Sequence, residues 1–355
     1  MTSNRRFTIA LATMIAAGAT AISPSIALAQ AAASGSEGAF QREFPAAHTL
    51  LEAADLNLAH VYAALEAGSH LSADVVAELI GRLEGSPGSN AVPALPQETR
   101  AVLAGARDLQ RKILDVYSDP RVEDPARIVE DLTDAYLQEG TGRLQAEPKS
   151  SAIMRLDPAP VGHGAHHGGE ASSPHAAASF ASDYPEVNRI LWAQLWLENA
   201  LLEALTATDD PQLRNEAVAK ATAKFQRLVK GGEEPLLPSA LPTTPAIAPD
   251  FTTRHRRASV ILNHRHMLEM ALLDAFQAPT AEERDGRVAK LTADFTDPEL
   301  EKVSISDWLR TSLRTGIYFQ GGPATREMAR SDRNADSMFN QEGHDHVIMQ
   351  GMPVM

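Results

Sequence analysis

Apolar residues recur every three or four positions through most of the chain, the period of helices that turn one face inward. Leu51, Ala54, Leu58, Val61 and Leu65 form one stripe, and Val102, Ala106, Leu109, Ile113 and Val116 another. Pattern and breakers together predict helices at residues 44–66, 72–84, 96–117, 123–138, 184–207, 210–230, 252–277 and 280–296, with a ninth near 304–318. Short connections between them imply antiparallel neighbours. The expected fold class is all-α.

The pattern occurs twice. "EFPAAHTLLEAADLNLAHVYAAL" from Glu43 matches "DYPEVNRILWAQLWLENALLEAL" from Asp183, an offset of 140. A second block, from Ala101, aligns without gaps on residues from Val260, an offset of 159, and carries Pro120 onto Pro279 and Asp115 onto Asp274. The difference falls in the Pro-rich stretch 231–251, which reads as too dense in helix breakers to be helical. These matches predict two tandem, internally duplicated four-helix units, either side by side or fused into one array. The expected boundaries are a signal peptide at 1–29, a linker at 30–43, unit 1 at 44–147, a His-rich flexible linker at 148–182, unit 2 at 183–318 and a His/Met-rich tail at 319–355.

Composition agrees with helices: aromatics are 5% of the 355 residues, so the core is built from Leu, Ala and Val. The formal charge of −14 argues against nucleic acid, which demands clustered Lys and Arg. Arg5 and Arg6, the apolar run Phe7 to Ile22 and the small residues Ala27 and Ala29 before Gln30 have the form of a cleaved signal peptide. The expected location is periplasmic or secreted, with no membrane span after cleavage. Absence of cysteine excludes disulfides, thiolate metal sites, c-type haem attachment and cysteine-held iron–sulfur clusters. Any soft metal ligand has to be methionine, and any intermediate one histidine.

Differences between the copies single out candidate sites. Ala54 and Leu58 are replaced by Gln194 and Glu198, which puts a carboxylate among Leu191, Leu201 and Leu205, where it needs a partner. Gly105 and Arg107 are replaced by His264 and His266. His264, at the edge of an apolar face, is placed to reach Glu198 and Gln194 as a metal or proton site; a satisfied polar pair between helices is the simpler reading. His266 and Met270, four apart, share a face expected to be the outer one. His48, Glu52 and Asp55 share a flank of the first helix.

Two segments outside the predicted helices carry metal-ligand chemistry. The linker holds His163, His166, His167 and His175 among Gly, Ala, Ser and Pro, and its imidazoles suit a divalent ion such as Cu(II). In the tail, His344 and His346 precede Met349, Met352 and Met355, whose thioethers prefer Cu(I). Over about a dozen residues this spacing resembles the Met motifs of bacterial copper-handling proteins. No HExxH zinc motif, phosphate-cradling Gly loop or paired ExxH of a di-iron bundle occurs. The function expected is periplasmic buffering or delivery of a metal ion, copper above others, rather than catalysis, with an enzyme built on a site near Glu198 and His264 as the last-ranked reading. The alternative is a structural or adaptor protein that docks an envelope protein partner, with the His and Met tracts incidental.

Overall fold

A computed structural model describes residues 38–85, 95–139, 142–149, 179–232, 241–310 and 312. Its elements are α1 (Ala39–Glu43), α2 (Pro45–Glu66), α3 (Ala73–Leu83), α4 (Gln97–Ser118), α5 (Pro125–Gln138), α6 (Ser179–Asp183), α7 (Pro185–Thr206), α8 (Pro211–Lys230), α9 (Thr244–Ile247), α10 (Pro249–Arg254), α11 (Arg256–Phe276) and α12 (Ala281–Thr296). Residues 305–310 add a further helical stretch. No strand occurs among the described residues; one isolated antiparallel bridge pairs Lys149 with Lys302. The protein is all-helical, as expected.

Proline sets many of the boundaries. Phe44, Tyr184 and Ala248 each precede a proline, and each has φ between −121° and −132° with ψ of 59° to 64°. Clash with the proline ring drives the preceding residue out of the helical region, so one helix ends there and the next begins with proline in its first turn. The Pro-rich connection is therefore not free of helix, contrary to expectation. Pro245 and Pro249 occupy the tolerant first turns of α9 and α10. His255, at φ −131° and ψ 59°, repeats the same kink without a proline and splits the predicted helix 252–277 into α10 and α11.

The four long helices form one core. Each of α2 and α4 packs against both α7 and α11, so around the bundle the order is α2, α7, α4, α11. Helices of the two halves of the sequence alternate around this shared centre, and a single apolar cluster runs through both halves. The shorter helices lie outside: α3 on α2, α5 on α4, α8 on α7 and α12 on α11. Enclosure by neighbours buries every residue of α7 from Val187 to Thr206 and every residue of α11 from Ala258 to Glu269. A helix surrounded in this way has no outer face.

One contact occurs twice at matching places. Asp115, near the end of α4, accepts a hydrogen bond from the Phe40 amide at the start of α1, 2.9 Å away. Near the end of α11, Asp274 accepts one from the Phe180 amide in α6, also at 2.9 Å. Phe40–Phe44 and Phe180–Tyr184 ring pairs, both with centroids 5.5 Å apart, sit beside them. A carboxylate at the start of a short helix satisfies amides that the helix leaves unpaired. Asp274→Ala is expected to lower unfolding free energy by about 1.5–3 kcal/mol, the usual loss for a hydrogen bond to a charged group. Urea denaturation at neutral pH measures it, and Asp115→Ala should show a loss of the same order.

Candidate functional site

Buried polar residues concentrate where α2, α4, α7 and α11 meet. Glu198 on α7 forms a close ion pair with Arg265 on α11, and Oε2 of the same carboxylate lies 2.8 Å from His266 Nε2. Arg265 Nε is 3.8 Å from Glu269 Oε2, one turn further along α11. Glu269 Oε1 accepts from Arg107 Nη2 on α4 at 2.7 Å, and Arg107 Nε reaches Asp55 on α2 at 3.0 Å. Arg111 then bridges Asp55 and Glu52, 2.7 Å from each. Charges of alternating sign thus run in file from the surface to the centre. Exposure falls along the file, from 47% for the Arg111 and Glu52 side chains to 3% for Glu269 and 1% for Arg265.

Burial sets the electrostatics of the inner end. It works against the charge on Arg107, but the carboxylates of Glu269 and Asp55 outweigh it and hold that guanidinium above its ordinary pKa. Burial lowers the pKa of Arg265, with Glu269 opposing; a guanidinium starts so high that it stays charged. For His266, burial first and then the positive charges of Arg265 and Arg107 push the pKa well below the ordinary imidazole value, so the ring is neutral. The Tyr62 hydroxyl donates to the Glu269 backbone carbonyl at 2.6 Å and ties α2 to α11 at the same level.

Beside the file is a small cleft between α2, α7 and α11. Asp55, Gln194, Glu198, Glu269 and Met270 line it, with Ala54, Leu58, Leu191 and Leu195 as apolar walls. Its free space of about 10 Å³ is room for one water, far below what an organic substrate needs.

The expected residues are distributed unevenly. Gln194 and Glu198 are buried and share the cleft, as their position among leucines implied. His264 does not reach Glu198. Its Nδ1 lies 3.0 Å from the Gln145 carbonyl and its ring packs edge-on against Phe295, centroids 5.7 Å apart. In the first half, Gly105 leaves room for the Arg143 guanidinium, which lies over Tyr136; His264 fills the corresponding space with its own ring. His266 is not on an outer face, because α11 is enclosed, and it is the actual imidazole partner of Glu198. Met270 is half-buried at the cleft. Glu52 and Asp55 are taken up by Arg111, and His48 lies 3.9 Å from Glu52. Among the described residues no group of three or more His, Asp or Glu side chains is disposed to hold a metal ion. His163, His166, His167, His344, His346, Met349, Met352 and Met355 lie outside the described residues.

Sequence reasoning missed Arg265, Glu269 and Arg107 as members of the cluster. Their one signal was an Arg and a Glu four apart within a helix otherwise rich in apolar residues.

Glu198→Leu is expected to cost about 3–5 kcal/mol of stability, because it leaves the buried Arg265 without its close carboxylate; Glu269→Ala should cost less, since Arg107 keeps Asp55 and Arg265 keeps Glu198. Glu198→Leu combined with Arg265→Met should recover most of the Glu198→Leu loss, since an apolar pair of similar volume removes both charges together. Urea midpoints of the single and double variants give the coupling directly.

Among the described residues no helix is long and apolar enough to cross a membrane. Comparisons with protein-family models, with curated proteins and with solved structures find no match to this chain.

Proposed function

We propose that this is an exported protein that binds copper for periplasmic buffering or delivery, with the ligands on the 148–182 and 319–355 segments and the helical body as their carrier. The observation that supports this reading is a division of labour among histidines. His255, His264 and His266 in the body are engaged by Tyr117, Gln145 and Glu198, whereas the clustered histidines and the Met triplet belong to segments outside the helices described. In this reading His163, His166, His167, His344 and His346 supply nitrogen for Cu(II), and Met349, Met352 and Met355 supply thioether sulfur for Cu(I). The repeated Asp115–Phe40 and Asp274–Phe180 contacts favour an origin of the body by duplication. The two ligand-bearing segments are then additions to a duplicated scaffold.

The adaptor alternative needs an apolar docking face. Among the described residues the large apolar side chains left exposed are Leu56 and Leu213, one each on α2 and α8.

Titration of the full-length protein with Cu(I) and with Cu(II), beside a truncation after Gly343, tests the copper reading. The truncation should lose most of the Cu(I) capacity, keep Cu(II) binding at the 148–182 segment, and unfold at an unchanged urea midpoint. An intact protein that holds neither ion more tightly than free imidazole and thioether ligands do would end this reading.

A further inference from the structure

His255, the N-cap of α11, and His264 and His266 within it share an unusual state. All three are at most 1% exposed, and in each one ring nitrogen has a protein contact while the other has no hydrogen-bond partner. His255 Nε2 is hydrogen-bonded with the Tyr117 hydroxyl at 2.5 Å, and its Nδ1 is 3.5 Å from Glu130 Oε1. His264 Nδ1 donates to the Gln145 carbonyl and leaves Nε2 unpartnered. His266 Nε2 lies 2.8 Å from both Glu198 and Arg265, and its Nδ1 is unpartnered. Tyr117 on α4 and Gln145 in the 142–149 segment belong to the first half of the chain, and Glu198, the partner of His266, lies on α7 of the second.

We infer that these three histidines are a proton-operated latch, which holds α11 against α4, the 142–149 segment and α7 while the rings are neutral and releases it in acid.

A protonated ring carries an N–H donor at both nitrogens, and in each of the three the nitrogen without a hydrogen-bond partner then holds a charged, buried N–H with no acceptor in place. The neighbouring charges decide how strongly each ring resists. Facing His255 are Arg254 from α10 and the half-exposed Glu130 from α5, which is itself flanked by Asp134 and Arg257. The first repels an imidazolium and the second, too distant for a hydrogen bond, attracts it. Facing His264 is Lys149, held by the Asp297 carbonyl, and no carboxylate contacts the ring. Facing His266 are Arg265 and, behind it, Arg107 from α4; Glu198 from α7 is close, but Arg265 already occupies the same oxygen. A charged His266 would set a second cation beside the guanidinium that Oε2 already pairs with.

Burial, the largest cause in every case, lowers the three pKa values from 6.5: to about 4 for His255, to about 3 for His264 and well below 6.5 for His266. A folded-state value below the open-state value means that the open form binds more protons between the two. Latch stability is then full above 6.5 and falls as pH drops from 6.5 toward 4. Each histidine contributes a tenfold change in the opening constant per pH unit, and three acting together contribute about a thousandfold.

Full-length protein tests this by amide hydrogen exchange in α11 and by fluorescence of the buried Trp192 and Trp196, both followed from neutral pH to pH 4. The expected result is opening with uptake of about three protons. His255→Gln, His264→Gln and His266→Gln each retain a neutral hydrogen-bonding side chain and should each lower the uptake by about one; the triple variant should respond little between pH 6.5 and 4. A triple variant with the wild-type pH dependence would assign the acid response to carboxylates and overturn the latch. A second measurement needs no variant. In the folded wild-type protein, NMR titration should find these three imidazoles neutral at pH 5.5, and a midpoint near 6.5 for any of them removes it from the latch.

Discussion

A guanidinium and a carboxylate at the centre of a four-helix core are the constraint on which the arrangement turns. Taking Arg265 and Glu198 out of water costs several kcal/mol for each ion, and only close pairing with further polar neighbours offsets that cost. The partners come from all four long helices: Glu198 from α7, Arg265, His266 and Glu269 from α11, Arg107 from α4 and Asp55 from α2. In the ring order α2, α7, α4, α11, the Glu198–Arg265 pair crosses one diagonal and the Asp55–Arg107 pair crosses the other. Arg107–Glu269 joins them. Shifting any one of these helices strands a charge contributed by another, so the polar file ties together helices that apolar contact alone would allow to slide.

Alternation of the halves explains why α7 and α11 are so rich in buried polar groups. A helix enclosed on all sides turns its polar side chains into protein, and each must find a partner there. Glu203, fully buried on α7, accepts from the Asp250 and Phe251 amides at the start of α10. Arg189 donates to the carbonyls of Leu228 and Val229 at the end of α8, where a cation complements the helix dipole. Asn199 donates to the carbonyl of Pro242. The enclosed helices thus cap the start of α10, which has no side-chain cap of its own, and add to the Gly231 cap at the end of α8, and the irregular Pro-rich connection is held down by the same means.

Helix positions were legible because their determinants are local. Proline at a first turn, the kink before it and the apolar period all act within a few residues, and predicted and observed long helices agree to within about three residues except at His255. That break has no proline to announce it. The burial of Glu198 and Gln194 was legible from their place among leucines. Their partners were not, because periodicity assigns residues to a face but says nothing of what lies across from it. The error at His266 had a definite cause. A helical wheel assumes one buried face and one wet one, and α11 has neighbours all round. The partner of His264 was hidden for another reason: Gln145 offers its backbone carbonyl, which no side-chain pattern encodes.

The file also fixes register. Arg265 and Glu269 stand one turn apart on α11 with opposite charge, the first facing Glu198 and the second facing Arg107. Two long helices can exchange one set of leucine contacts for the next by sliding a turn, about 5.4 Å, with little change in apolar burial. Here the slide in one direction sets Glu269 against Glu198, and in the other it sets Arg265 against Arg107. Either way two like charges meet in a buried site closed to bulk solvent, and both lose their partners. Native pairing gains little over an apolar core of the same volume, as is usual for buried ion pairs. Its effect is to make the neighbouring registers expensive, which a core of leucine and alanine cannot do.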